Sequence, residues 1–332
     1  MLIGDINAKD SVAYDELAYW LALNQRSNYF SPRVVSQALL ESGESLKDLW
    51  YANTDILSRS GFSGRAKDEF DKIRSSSSLE ESNRIVEDCY RQGINIFRFI
   101  DEEYPQQLRE TPSSIIPPLI LFHKGSLKDF SNCVAIVGTR DSTFRGRSMA
   151  RKIARALADD GFTIVSGLAR GTDVEAHMGA LESKKGKTIA VLAWFDPVYP
   201  EEHTELVKEI EERGARISEN LRKSFGSMTP AKFVERNRIT SGISKFIIIT
   251  ETGEDGGTMR QAELAKRENR PIFVMAPKRN ERIGQGFQVI MERHNGISFS
   301  DVDDLLDKIK ANKLEPDKKL SQFSLNEQSK LL

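Results

Sequence analysis

Long apolar runs are missing from this 332-residue chain, and no stretch approaches the length needed to cross a bilayer. The N-terminal MLIGDINAKDSV has neither the basic n-region nor the apolar h-region of a secretory leader. Cysteine is scarce: Cys89 and Cys133 stand far apart, without metal-ligand or redox spacing. They read as small buried hydrophobes, and a reducing cytoplasm is the expected compartment. An excess of one charge is missing too, with 48 Lys+Arg against 49 Asp+Glu and a net charge of −1. That excludes a uniformly basic coat, so any polyanion site must be a local patch set against acidic faces such as Glu201–Glu212. No nucleophile triad, paired carboxylates or metal cluster is visible, so neither a catalyst nor a cofactor is expected.

What is present fits one large domain plus a smaller one. The first hundred residues lack strand-like apolar runs and read as short helices. Tyr14–Leu23 sets Leu17, Trp20, Leu21 and Leu23 on a stripe, and Val34–Leu40, Ser45–Tyr51, Arg65–Ile73 and Leu79–Gln92 repeat the pattern. Ile56 to Gly64 has the outline of a helix-hairpin-helix, though a plain helix–helix turn is the favoured reading. A stiff segment follows, with Tyr104-Pro105 and then Pro112 to Pro118, a plausible seam between two domains. Pro118–Phe122 reads as a strand ended by Lys124-Gly125.

From about Asn132 to His294 the rhythm becomes strand–loop–helix. Apolar runs at Val134–Val137, Phe162–Val165, Thr188–Leu192, Arg216–Ser218, Phe246–Thr250 and Ile272–Met275 alternate with helices at Ser148–Asp159, Val174–Glu182, Glu205–Arg213 and Met259–Glu268. Near-continuous apolar strands separated by helices predict a doubly wound α/β fold, a mostly parallel sheet covered on both faces. The charged stretch Asp304–Leu332 reads as a flexible extension with an amphipathic stub at Leu325–Leu332.

In such a fold the ligand sits beyond the carboxyl ends of the strands. Gly138-Thr139-Arg140 offers close backbone approach, a hydroxyl and a planar cationic fork. It is neither the G-x-G-x-x-G fingerprint, since the next glycine is Gly146, nor a P-loop. Ser166-Gly167-Leu168-Ala169-Arg170-Gly171-Thr172-Asp173 places an arginine between glycines, with Thr172 or Asp173 able to cap the next helix. His177, one turn later, reads as a packed structural residue. Arg236-Asn237-Arg238 precedes an apolar segment and strand, and Gly256-Gly257-Thr258 forms an anion nest before a helix. Each loop alone could be an ordinary turn, cap or surface cluster. Their convergence on one sheet edge predicts a basic groove. Replacing Arg236 and Arg238 together by alanine is expected to weaken oligo-dT binding with thermal stability nearly unchanged.

These motifs, in this order, resemble the DNA-processing protein A (DprA, or Smf) family over nearly the whole chain. The likeness is strongest in Val134-Ala135-Ile136-Val137-Gly138-Thr139-Arg140, Ile164 to Asp173, Glu175-Ala176-His177, Thr188 to Leu192, Tyr199-Pro200 and Glu235-Arg236-Asn237-Arg238-Ile239. The resemblance implies a Rossmann-like domain at 132–310, preceded by a helical domain at 1–100 and a connector with the first strand at 101–131. Residues 311–332 would be a tail. It further implies a homodimer that binds single-stranded DNA, with Arg140, Arg170, Arg236 and Arg238 on phosphates, and that helps load a RecA-type recombinase, in many bacteria during natural transformation. Lys187 is a further basic candidate. The chain departs from the family at Ala193-Trp194-Phe195-Asp196, where glycines are usual, and at Asp255 to Gln261. It also carries only the first turn of the usual C-terminal winged helix. Trp194 and Phe195 could stack on bases or be buried.

Two other readings remain. Gly256-Gly257-Thr258 also resembles the Gly-Gly-x-Gly-Thr-x-x-Glu loop of lysine-decarboxylase-like nucleotide phosphoribohydrolases, but Gln261 stands where their glutamate is required. A nucleotide-sensing domain that signals to a partner is the other.

Overall fold

A computed structural model describes residues 8–24, 30–52, 64–76, 78–222, 230–278 and 284–316. The helix-hairpin-helix reading at Ile56–Gly64 and the stub at Leu325–Leu332 lie wholly or almost wholly outside the described residues.

The N-terminal region folds as the apolar periodicity predicts. Its helices are α1 (Ala8–Asn24), α2 (Pro32–Ser42), α3 (Leu46–Tyr51), α4 (Arg65–Arg74) and α5 (Ser78–Arg91). Ser45 starts α3 with a capping box, its hydroxyl accepting the Asp48 N–H while the Asp48 carboxylate accepts the Ser45 N–H. Among the described residues of the first hundred, one element is not a helix. Asn95–Arg98 is a strand, β1, whose four-residue run was too short to read as apolar alternation. It pairs antiparallel with β2 (Ile120–Gly125), with Ile96 opposite Phe122.

The connector is pinned rather than loose. After a short helix, α6 (Gln106–Arg109), arginines from three separated elements donate to its carbonyls. Arg33 reaches Thr111 O at 2.5 Å and Ile115 O at 3.2 Å. Arg238 reaches Ile116 O at 2.7 Å and Arg267 reaches Ser114 O at 2.8 Å. A continuous core joins Trp20, Phe30 and Phe70 of the helices to Phe122 of β2 and to sheet residues Val165, Ile189 and Ile217.

The rest alternates as expected: β3 (Cys133–Val137), α7 (Phe144–Asp159), β4 (Thr163–Ser166), α8 (Thr172–Glu182), β5 (Lys187–Val191), α9 (Thr204–Arg213) and β6 (Ala215–Ser218). Then come α10 (Pro230–Gly242), β7 (Ile247–Ile249), α11 (Gly257–Arg267), β8 (Ile272–Met275), α12 (Gly284–Arg293), β9 (Ile297–Phe299) and α13 (Val302–Ala311). The sheet runs β1-β2-β6-β5-β4-β3-β7-β8-β9. β6 through β9 in that order are parallel, and only β1 and β2 run against their neighbours. This is the doubly wound, mostly parallel sheet that the apolar runs predict.

Strand alternation divides the core. Val134 and Ile136 of β3 pack with Ala150, Ile153 and Leu157 of α7 and Ala176 of α8. Ala135 and Val137 face the other way, onto Met259, Ala262 and Ala265 of α11. Ile239 of α10 shares that second face. Two readings change here. Arg236-Asn237-Arg238 lies inside α10, not on a loop before a strand. Asp304 to Ala311, read as flexible tail, belongs to α13, whose Leu305 and Ile309 are buried against the sheet layer.

Candidate functional site

After β3 the chain crosses to β4 on one side, and later returns to place β7 on the other. That reversal is the switch point where a doubly wound sheet leaves a crevice. Over the carboxyl ends of β3, β4 and β7 lies a cavity of about 510 Å³. Gly138, Thr139, Arg140, Ala169 and Asp173 form one side of it. Tyr199, Phe233, Arg236 and Asn237 form a second, and Thr252, Gly253, Gly256, Gly257, Thr258 and Gln261 close it.

Arg236 is the cation built into this wall, only 7% exposed. One Nη donates to Gly167 O at 3.3 Å, while its Nε has no partner among the described residues. Burial pushes its pKa down, and the Asp173 carboxylate opposes that shift. Asp173 is itself buried and held above the usual carboxylate range by desolvation, against the pull of Arg236 and of two amides. Those amides are Gly167 N–H at 3.1 Å and Ala169 N–H at 3.4 Å. Glycine at 167 makes room for the guanidinium: an added Cβ would stand 1.7 Å from an Arg236 Nη and displace it. The expected cap therefore takes another form. Gly171 is the N-cap of α8, with φ of 80°, and Asp173 turns back to order the preceding loop.

Helix N-termini face this edge, and the molecule treats those of α7 and α11 differently. The start of α7, which dinucleotide-binding folds give to a pyrophosphate, is filled from within. Glu251, only 3% exposed, accepts the Thr143 N–H at 2.7 Å and the Thr143 hydroxyl at 2.5 Å. Thr143 in turn caps α7 through the Gly146 N–H. The start of α11 is open. A Cβ built on Gly257 would meet nothing within 4 Å, and no side chain caps the helix. Asn237 anchors α10 to this turn, its Nδ2 donating to Gly257 O at 3.1 Å. Gln261 donates to Asn237 O at 3.2 Å.

An aromatic wall completes the pocket, and sequence reasoning missed it. Phe233 and Tyr199 have ring centroids 5.8 Å apart, and Trp194 packs edge-on against Phe233 at 5.2 Å. The exposed Arg140 guanidinium lies over Phe233, 5.2 Å from its centroid. Tyr199 was visible only as part of a motif, and Phe233 lies in a stretch without apolar rhythm. Trp194 and Phe195 are both buried, so packing is their role here.

The remaining candidates scatter. Arg170 is exposed and forms a two-pronged pair with Glu202, at 2.5 and 3.0 Å, beside a small hollow shared with Arg140 and Phe233. Arg238 points away from the cavity into Glu219, at 3.0 Å through Nη1. The expectation that Arg236 and Arg238 can both be removed at little cost to stability fails, because both are tied into the interior. Lys187 begins β5 and so stands at the opposite end of the sheet from the cavity. Ser166 is fully buried and donates to Ile136 O. His177 is also buried, hydrogen-bonded to Thr188 at 2.7 Å, with its pKa pushed down to about 3 by burial. Cys89 and Cys133 are buried free thiols, that of Cys89 pushed up to about 12 by desolvation. Among the described residues no group of three or more His, Cys, Asp or Glu is placed to hold a metal ion, and no helix is long and apolar enough to cross a membrane.

With this geometry in hand, similarity to known proteins can be placed. Residues 95–310 match the profile of the DNA recombination-mediator protein A family. The chain is 32% identical to the protein Smf of Synechocystis over 321 residues, 92% of this chain and 78% of that one. It is 32% identical to the DNA processing protein DprA of Bacillus subtilis over 58% of this chain and 64% of that one. Among solved structures it superposes on DNA processing protein A from Streptococcus pneumoniae with a TM-score of 0.65 at 25% identity, covering 86% of this chain and 97% of that one. A structure of the Helicobacter pylori protein, described for its single-stranded DNA binding mode, superposes with a TM-score of 0.56 at 26% identity, covering 66% and 96%. The match runs through β1, β2 and the whole switch-point edge, and the chain belongs to the DNA recombination-mediator protein A (DprA/Smf) family.

Proposed function

We propose that the chain binds single-stranded DNA, one nucleotide seated in the switch-point cavity and its neighbours running along the sheet edge. The observation that carries this is Arg236: a buried guanidinium that lines the cavity, its Nε without a partner among the described residues, beside the open N-terminus of α11. A desolvated cation and free backbone amides hold an anion far better than a surface lysine does. The aromatic wall of Tyr199 and Phe233 suits the π-face of any base, so recognition is sequence-tolerant. Arg140, over Phe233, adds a mobile cation at the mouth. The DNA-processing names of the Bacillus subtilis and Streptococcus pneumoniae relatives agree with this reading.

The proposal extends to a homodimer in the cytoplasm that passes the strand to a RecA-type recombinase, in transformation or related recombination. The protein acts by binding, without catalysis. Gln261 supports that part: a phosphoribohydrolase of the similar loop pattern needs a carboxylate there, and this amide is committed to the Asn237 carbonyl. A cavity of about 510 Å³ would also admit a free nucleotide, which keeps the sensor as the second reading.

A thermal-shift panel separates the two. Saturating dT20 is expected to raise the Tm by several degrees, while thymidine monophosphate and adenosine diphosphate at the same phosphate concentration do little. A nucleotide that stabilises where dT20 does not would overturn DNA binding in favour of sensing.

A further inference from the structure

The stretch Gly138–Arg147 holds Arg140, Arg145 and Arg147 against a single carboxylate, Asp141. In its midst, at the first helical position of α7, stands Phe144 with 81% of its surface exposed. Singly exposed apolar residues are common and need no explanation. Phe144 differs in its setting. A helix N-terminus favours acidic side chains, because its dipole ends in positive charge. The first turn of α7 has none of its own, the start of the helix being filled by Glu251, and it carries two arginines. Arg145 donates to Ala276 O at 3.1 Å and Arg147 to Ser142 O at 2.7 Å. Arginine side chains thus flank an exposed ring at the sheet's ligand edge. A polyanion with flat apolar faces is complementary to both the ring and the arginines.

The ring also stands on a fixed base. Thr143, just before it, is locked to Glu251 through its N–H and hydroxyl and to Gly146 through its cap. Arg147 N–H donates to Thr143 O at 3.0 Å. Asp141 and Thr252, neighbours in sequence of Thr143 and Glu251, line the cavity. Because α7 and α10 cover opposite faces of the sheet, Phe144 and Phe233 flank its carboxyl edge from opposite sides.

We propose that Phe144 is a second base-stacking platform, outside the cavity, which holds a nucleotide adjoining the one seated between Tyr199, Phe233 and Arg236. Arg145 and Arg147 flank its phosphates. This rests on the single-stranded DNA reading above and deepens it. The strand would cross the sheet edge from the α10 side to the α7 side.

The test compares fluorescein-labelled dT20 with a labelled 20-mer of abasic sugar phosphates, on the full chain and on Phe144→Ala and Phe144→Tyr. Phe144 is exposed, so both variants are expected to melt within a degree or two of wild type. Phe144→Ala should weaken dT20 roughly tenfold, the usual size of one lost base–aromatic contact. It should leave the abasic strand's affinity and the salt slope of dT20 binding unchanged, because no phosphate contact is removed. Phe144→Tyr should restore dT20 affinity. Equal dT20 affinity in Phe144→Ala and wild type overturns the platform, as does an equal loss on both strands. So does a Phe144→Ala variant whose only change, by light scattering, is the loss of a dimer. If wild type binds neither strand, the DNA reading itself falls, and the platform with it.

Discussion

Arg236 and Arg238 show why side-chain roles are hard to see in a string. Two residues apart on a helix they point about 200° away from each other, so they cannot serve one ligand. Arg236 enters the cavity and Arg238 ties α10 to Glu219 and to the connector. The helix itself was illegible because its buried positions include Arg236, Asn237, Thr240 and Ser241, which carry no hydrophobic period. Polar burial also sets a pH dependence nearby. Glu268, 7% exposed, has its pKa raised to about 7 by burial, against the pull of Ser241, Arg270 and Arg267. A carboxyl raised in the folded state contributes stability that is full below the unfolded value near 4.5 and is lost as pH rises through 7. Glu268→Gln, which stays neutral, is therefore expected to match wild type near pH 4 and to exceed it at pH 8, by at most about 3 kcal/mol. Denaturant melts at the two pH values check this, and a parallel pair of pH profiles would contradict it.

At the scale of elements, the strands and helices from β3 to β8 were readable almost residue by residue. Fully buried parallel strands leave long apolar runs, and α10 was the one element among them that gave no such signal. β1 and β9 escaped because three or four residues at a sheet edge are too few to show a period. The anion sites were half legible. Glycines marked the start of α11, but nothing in the sequence tells that Glu251 folds back to occupy the start of α7. Arg238 gives the prediction at this scale. Arg238→Ala leaves Glu219, 8% exposed, without its guanidinium and frees the connector carbonyl at Ile116. The loss should be about 3 kcal/mol, the low end for a broken buried pair because the Arg238 side chain keeps one-fifth of its surface in water. Below its lowered melting point the variant should bind oligo-dT as wild type does. Titration at 10 °C beside a thermal melt tests both halves; a large loss of affinity in folded protein would place Arg238 on the ligand after all.

The whole molecule carries a net charge of −1, and at its ligand edge arginines share the cavity wall with Asp141, Asp173 and Asp255. Arg140, Arg145, Arg147 and Arg236 gather at one end of the sheet, while α9 carries Glu205, Glu209, Glu211 and Glu212. The connector, nailed by Arg33, Arg238 and Arg267, makes the N-terminal helices part of the same body that shapes α10. The central claim is that the open N-terminus of α11 beside Arg236 seats a phosphate of single-stranded DNA. Gly257→Val tests it most directly, since the new side chain starts in open space at the proposed seat and need not disturb the fold. Affinity for dT20 across a salt series is the measurement. Wild type should weaken with salt at a log–log slope of about −2, as expected for some three phosphate contacts, and Gly257→Val should bind at least about tenfold more weakly at unchanged Tm. A wild-type affinity indifferent to salt, or a Gly257→Val variant that binds as wild type does, would contradict the account.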